Sequence, residues 1–146
     1  LVQDLSVDLE LKKYCDYNVY RREVIFGSPL YFSPYFTRNS GKEEGISFIS
    51  KILGIISCKP AEVESFKDDL MEFADDNKAL VKKWIIGTKL DTEDKEFTYF
   101  FLDDAVKLKT TLKKDGTREV GRGKNWIAAQ IPPNRCVTFE EFLKHM

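Results

Sequence analysis

Histidine is almost missing from this chain. Its 146 residues hold one, His145, beside the C-terminal methionine. A zinc site of ordinary Cys/His spacing therefore has no ligand set. A Ser-His-Asp or Cys-His mechanism would rest on a side chain one residue from the end. Cysteine is scarce too. Cys15, Cys58 and Cys136 are odd in number and include no C-x-x-C, so they read as free thiols in a reducing, cytoplasmic setting rather than a disulfide framework. No uncharged apolar run reaches the about 18 residues a membrane helix needs. The longest candidate, Ile46 to Cys58, is broken by Ser47, Ser50 and Lys51. There is no P-loop, no G-x-G-x-x-G, no internal repeat and no basic-then-apolar leader. Nothing in the pattern asks for a metal, a cofactor or a membrane.

The chain does have the makings of one core. Hydrophobic residues are 42% and charged residues 32% of it, ordinary values for a globular domain. Its length suits a single domain over 1–146. Because it begins at Leu1, that domain is expected to have been cut from a longer protein. Net charge is -1, but unevenly spread. Pro60 to Asp76 carries seven acids against Lys67. Ala105 to Trp126 carries seven bases against Asp115 and Glu119. A near-neutral protein can thus present a basic face.

Periodicity assigns the elements. Leu5, Val7, Leu9 and Leu11 alternate with polar residues, which predicts a strand, with a short helix as the alternative. Asn18 to Phe26 reads as a strand. Leu30 to Phe36 is aromatic but contains Pro34, so it reads as an edge strand or one running into a loop. Thr37 to Gly45 is a polar loop. Ile46 to Ser57 is the strongest buried strand, with Gly54 as a bulge or kink. Pro60 opens a helix with Val63, Phe66, Leu70, Phe73 and Ala74 on one face. Leu80, Val81, Trp84 and Ile85 mark a second helix, stopped by Gly87. Phe97 to Leu102 is a buried strand. Val106, Leu108, Thr110 and Leu112 alternate with Lys107, Lys109, Thr111 and Lys113, a strand with one core face and one basic face. Asp115-Gly116 is its turn. Thr138-x-x-Glu141 is a capping box, with Phe139, Phe142 and Leu143 as the core face of a last helix. The order predicts an α+β fold, with a curved or barrel-like, mostly antiparallel sheet flanked by helices.

Two groups of residues suggest a ligand. Lys107, Lys109 and Lys113 on one strand face, followed by a loop with Arg118, Arg122 and Lys124 in which Gly121 and Gly123 let the backbone approach closely, can lie along a phosphate backbone. Trp126 follows directly, where it serves either as a core residue against Ile127 or as a stacking platform. Tyr31, Phe32, Tyr35 and Phe36 can wall a slot for a flat base, with Arg38 reaching phosphate or a base edge; the same residues also suit a core. Arg21-Arg22 adds two cations nearby. For metal-dependent cleavage the E-x-K triplet Glu10-Leu11-Lys12 has Asp8 two residues before it; Asp103-Asp104 reads as a turn.

The run YRREVIFGSPLYFSP, the strand GISFISKILGII, the segment FTYFFLDDAVKLKTTLKKDG and the closing TFEEFL resemble, in that order, the PUA-like superfamily, which includes the EVE and ASCH domains. The resemblance spans Val19 to Leu143. The tryptophan-containing opening of EVE domains is absent here. The resemblance implies a small β-barrel with helices and a pocket that reads a base, often a modified one, flipped out of DNA or RNA. It also implies fusion to an effector, such as a restriction NTPase or nuclease, or to an RNA-modifying enzyme. On that basis Tyr31, Tyr35, Phe36 and Trp126 would stack, with Trp84 as a further candidate. Lys107, Lys109, Arg118, Arg122 and Lys124 would hold phosphates, and Arg38 would stand at the mouth. The expected function is a non-catalytic nucleic-acid reader, DNA ahead of RNA, serving as the specificity module of a restriction or modification protein. The alternative is a protein-interaction domain using the acidic face of Glu62, Glu64, Asp68, Asp69 and Glu72. A metal-dependent nuclease is the third reading.

Overall fold

The computed structural model describes residues 1–5, 9–23, 27–113 and 136–144. Its spine is a 13-residue strand, β4 (Ile46–Cys58), numbered after β1 (Val2–Leu5), β2 (Val19–Arg22) and β3 (Tyr31–Phe36). β5 (Phe97–Leu102) and β6 (Val106–Leu112) follow. The strands form one six-stranded sheet in the order β1-β3-β4-β5-β2, with β6 also paired to β4. All pairings are antiparallel except β1 with β3. The sheet curves without closing among the described residues. β5 and β6 run one after the other beside β4, β5 along Ile52–Cys58 and β6 along Ile46–Ile49.

Isoleucine-rich β4 suits a strand buried on both faces. Its register with β5 slips between Ile52 and Gly54. There the ring of Phe73 occupies the space a Cβ on residue 54 would need, so glycine lets the helical layer approach the backbone.

Among the described residues, four α-helices accompany the sheet: α1 (Leu9–Tyr17), α2 (Lys67–Ala74), α3 (Lys78–Lys89) and α4 (Phe139–Lys144). α2 and α3 pack Leu70, Ala74, Val81, Trp84 and Ile85 onto Val19, Ile56, Tyr99 and Phe101. Trp84 meets the Tyr99 and Phe101 rings edge-on at 5.2 and 4.9 Å, so it is a core residue and not a stacking platform. The other face buries Tyr20, Phe32, Phe36, Phe100 and Leu102 under Leu11 and Tyr14 of α1. A third cluster joins Val2, Tyr35, Ile46, Leu112 and Phe142.

The structure corrects several expectations. Leu9 to Leu11 is helical, because Leu11 and Tyr14, three apart, both bury on the sheet. β3 is interior, not an edge. Ser33 donates its N–H to Leu1 on the β1 side, so the Pro34 nitrogen faces β4, where pairing lapses between Phe32–Ser50 and the Phe36–Gly45 bridge. Pro60–Phe66 is a 3₁₀ segment that leads into α2. α3 runs through Gly87 to Lys89, since burial of Trp84, Ile85 and Thr88 outweighs the glycine penalty. In β6 only Leu112 is fully buried; Leu108 is half-buried, and Val106 and Thr110 are exposed. The register with β4 slips between Ile46 and Phe48, which breaks the regular alternation. In α4 only Phe142 reaches the core; Phe139 and Leu143 are exposed. The Asp115-Gly116 turn lies outside the described residues.

Among the buried polar residues is a charged one, Arg21. Arg21 donates through Nε to Glu10 Oε1 at 2.9 Å and through Nη1 to Asp91 Oδ2 at 3.0 Å, and its guanidinium sits 4.0 Å above the Phe97 ring. It ties α1, β2 and the segment after α3 together. Burial works against the Arg21 charge, but the Glu10 bond and charge outweigh it and raise its pKa. Burial likewise opposes the Asp91 charge, and the Glu93 N–H together with Arg21 holds this carboxyl below the usual range.

Candidate nucleic-acid interface

Lys107 and Lys109 are both exposed on β6. Lys107 stands opposite Phe48, so the two side chains share a face of the sheet. Beside Phe48 an open cavity of about 270 Å³ is lined by Tyr14, Asn18, Phe36, Lys42, Phe48 and Ala105. Its floor is aromatic. Phe36 meets Phe48 edge-on at 6.3 Å and Tyr14 at 6.4 Å. Phe36 and Tyr14 are buried, so the half-buried ring of Phe48 is the one a ligand can reach. The Lys42 ammonium lies 5.7 Å from the Phe36 ring centroid. Burial pushes the Tyr14 hydroxyl up to about 12, with a Ser50 hydrogen bond opposing the shift, which keeps it a neutral donor.

Each wall comes from a different segment. α1 supplies Tyr14 and ends at Asn18, whose φ of 55° is the left-handed conformation asparagine tolerates. The Asn18 N–H closes the last turn on the Tyr14 carbonyl at 3.1 Å. The loop between β3 and β4 supplies Lys42, and the link between β5 and β6 supplies Ala105. A concave aromatic floor with a cationic rim accepts a flat ring carrying an anionic group. Ligand pockets commonly span roughly 300–1,000 Å³, so this one has room for one base-sized group.

The residues expected to form one site are divided. Tyr31 pairs with Lys51 and faces the opposite side of the sheet from Phe48 and Lys107. It stacks on Phe139 at 5.7 Å in a separate apolar cleft of about 290 Å³. Tyr35 is 3% and Phe36 1% exposed, so neither offers a ring face for stacking. The Tyr35 hydroxyl donates to Glu44 Oε1 at 3.4 Å, and Arg38 donates to Oε2 of the same glutamate at 3.0 Å. Arg38 is therefore held beside Tyr35 and is not among the residues lining the Phe48 cavity. Lys113 donates to the Glu44 carbonyl at 2.6 Å. Arg118, Arg122, Lys124 and Trp126 lie outside the described residues. Arg21, the neighbour of Arg22, is absorbed in its ion pairs. The acids Glu62, Glu64, Asp68, Asp69 and Glu72 are all exposed. Glu10 is committed to Arg21, and among the described residues no group of three or more His, Cys, Asp or Glu is placed to hold a metal ion.

Sequence reading missed Tyr14, Asn18, Lys42 and Phe48. Tyr14 lay beyond the Leu5–Leu11 alternation and was assigned to no element, and Phe48 was hidden by its place in an isoleucine run. Lys42 had the one usable signal, a lysine in a glycine-bounded loop beside the aromatic strand.

No protein family and no curated protein sequence matches the chain. Among solved structures, a point mutant of ZmASCH from Zymomonas mobilis is 16% identical and covers 98% of this chain and 93% of its own, with a TM-score of 0.53. A second crystal structure, of ASCH from the same organism, is 16% identical over 73% of this chain and 68% of its own, with a TM-score of 0.39. The chain thus shares its α+β fold with ZmASCH.

Proposed function

We propose that this domain binds nucleic acid, seating one unstacked base against Phe48 and laying the adjoining backbone along Lys107 and Lys109. The observation that carries this reading is the shared face: an open aromatic-floored cavity rimmed by Lys42, with exposed lysines on the strand beside it. The ASCH-like fold agrees with it. Stacking of one base on an aromatic ring contributes roughly 1–3 kcal/mol, comparable to the few kcal/mol that unstacking costs. Phosphate contacts supply salt-dependent affinity. The proposal includes Arg118, Arg122 and Lys124 as phosphate contacts and Trp126 as a stacking ring on their sequence pattern alone, since they lie outside the described residues. DNA is the partner expected first, with a methylated base as the target and an effector domain or subunit, of the restriction or modification kind, acting on what is bound.

Fluorescence anisotropy tests this with single- and double-stranded DNA and RNA, unmodified and methylated, at low and high salt. Binding that weakens with salt supports the proposal, and preference for one methylated base supports its finer part. No binding to any member at low salt refutes it and turns attention to the exposed acids of 60–72.

A further inference from the structure

α1 serves two cavities. Tyr14 walls the one at Phe48. Lys12, Lys13 and Tyr17 wall another, of about 330 Å³, against Trp84 and Gly87 of α3 and Asp91 just after it. Glycine keeps this second cavity open: a Cβ at position 87 would meet the Tyr17 hydroxyl, 3.8 Å away, and nothing nearer. The volume suits a small ligand.

The inner wall holds donors without acceptors. Trp84 is 1% exposed, and its indole Nε1 is buried with no hydrogen-bond partner among the described residues. An indole N–H can only donate, and leaving it unmet costs its hydration. Half-buried Lys13 stands 3.8 Å from Asp91 Oδ2, beyond hydrogen-bond length. That oxygen already accepts from Arg21 at 3.0 Å, and Asp91 Oδ1 accepts from the Glu93 N–H at 2.9 Å. Burial pushes the Lys13 pKa down, the mark of an ammonium short of anionic company. Lys12 and the other acid of the wall, Asp16, are exposed, so water serves both.

We infer that the cavity between α1 and α3 binds a small oxyanion, a carboxylate or a phosphate, which accepts from Trp84 Nε1 and Lys13 Nζ while Lys12 adds charge at the rim. An oxyanion brings several acceptor positions on one group, and its bonds to an ammonium are charge-assisted. A cation or an apolar molecule leaves both donors unmet. A bound anion also returns to Lys13 the counter-charge that Asp91 gives mainly to Arg21. This site does not depend on nucleic-acid binding at Phe48.

The test follows the Trp84 indole N–H signal in nitrogen–proton correlation spectra. Trp126→Phe assigns it, since the chain has two tryptophans. The protein is titrated with sodium phosphate and, separately, sodium acetate, with ionic strength held constant by sodium chloride. The Trp84 signal should shift and saturate with at least one of the two anions. Phosphate alone moving it identifies a phosphate-bearing ligand, and acetate alone a carboxylate. Lys13→Met should weaken that binding about 10-fold, the scale of one hydrogen bond to a charged group. It stays folded because Asp91 keeps Arg21 and the Glu93 N–H. Gly87→Met puts a side chain into the cavity from an exposed helical position and should abolish the shift at an undiminished melting temperature. A Trp84 signal that neither anion moves overturns the inference and leaves the N–H to water or to the faces of the Tyr99 and Phe101 rings. A shift that persists unchanged in Gly87→Met or in Lys13→Met overturns it as well.

Discussion

Replacing Arg21 with methionine tests the buried ion-pair clamp and also predicts how its effect changes with pH. Arg21 is 4% exposed, and its Asp91 and Glu10 partners keep side-chain exposures of 16% and 28%. Breaking a fully buried pair by removing one partner costs roughly 3–5 kcal/mol. The partly exposed partners recover some hydration, which lowers the cost, while loss of the cation over Phe97 adds to it. The expected loss is about 3 kcal/mol, a large share of a typical 5–15 kcal/mol. The folded-state pKa of Asp91 lies below its ordinary value of 3.8. The stability it contributes is therefore fully present above 3.8 and is lost as pH falls through the lowered folded-state value. Arg21→Met has already lost the part of that contribution that Arg21 supplies, while the bond from the Glu93 N–H remains. Urea unfolding of both proteins should show the full gap near neutral pH and a narrowing gap once pH falls below that window. Equal stability near neutral pH, or a gap unchanged in acid, would refute the reasoning.

Lys107→Glu with Lys109→Glu should weaken nucleic-acid binding and reduce its salt slope by about 2, one for each phosphate contact, with an unchanged melting temperature because both side chains are exposed. An unaltered salt slope would remove β6 from the interface. Gly87→Ala should stabilise the domain by about 0.5–1 kcal/mol, read as a higher melting temperature. Position 87 is helical, and the nearest atom to a new Cβ is the Tyr17 hydroxyl at 3.8 Å, ordinary contact. A lower melting temperature would mean that α1 and α3 pack more closely there than this spacing indicates.

The fold was legible where burial wrote a long signal. β4 and β5 are predominantly apolar stretches, and Gly54 marked the bulge because no other residue there lacks a Cβ. The start of α1 was read first as a strand, with a helix as the alternative, because leucines two apart fit a strand and Tyr14 was not set beside them. β6 alternates in sequence, yet Val106 pairs with Ile49 at an uncovered part of the sheet and is exposed. The candidate site was harder. Basic β6 was visible as a pattern, but Asn18, Lys42, Phe48 and Ala105 come from four separate segments. No local spacing links them; only the β4 register brings them to one face. Tyr31 and Phe36, close in sequence, sit on opposite faces because strand side chains alternate.

The strand order also determines which contacts are entropically expensive to make. β3 and β4 are joined by the short 37–45 loop, so their pairing closes little chain. β2 instead finds β5, with Val19 opposite Phe101, and almost all of the intervening sequence must be gathered first. A sheet with such distant partners folds more slowly than a helical bundle of equal length. The late step is the arrival of β2, which pulse-labelled amide exchange would read as delayed protection of Val19–Arg22. Until then the β5 edge is bare and open to pairing with another chain. The Arg21 clamp, which needs β2 in place, comes last, so it locks an assembled sheet rather than guiding its assembly.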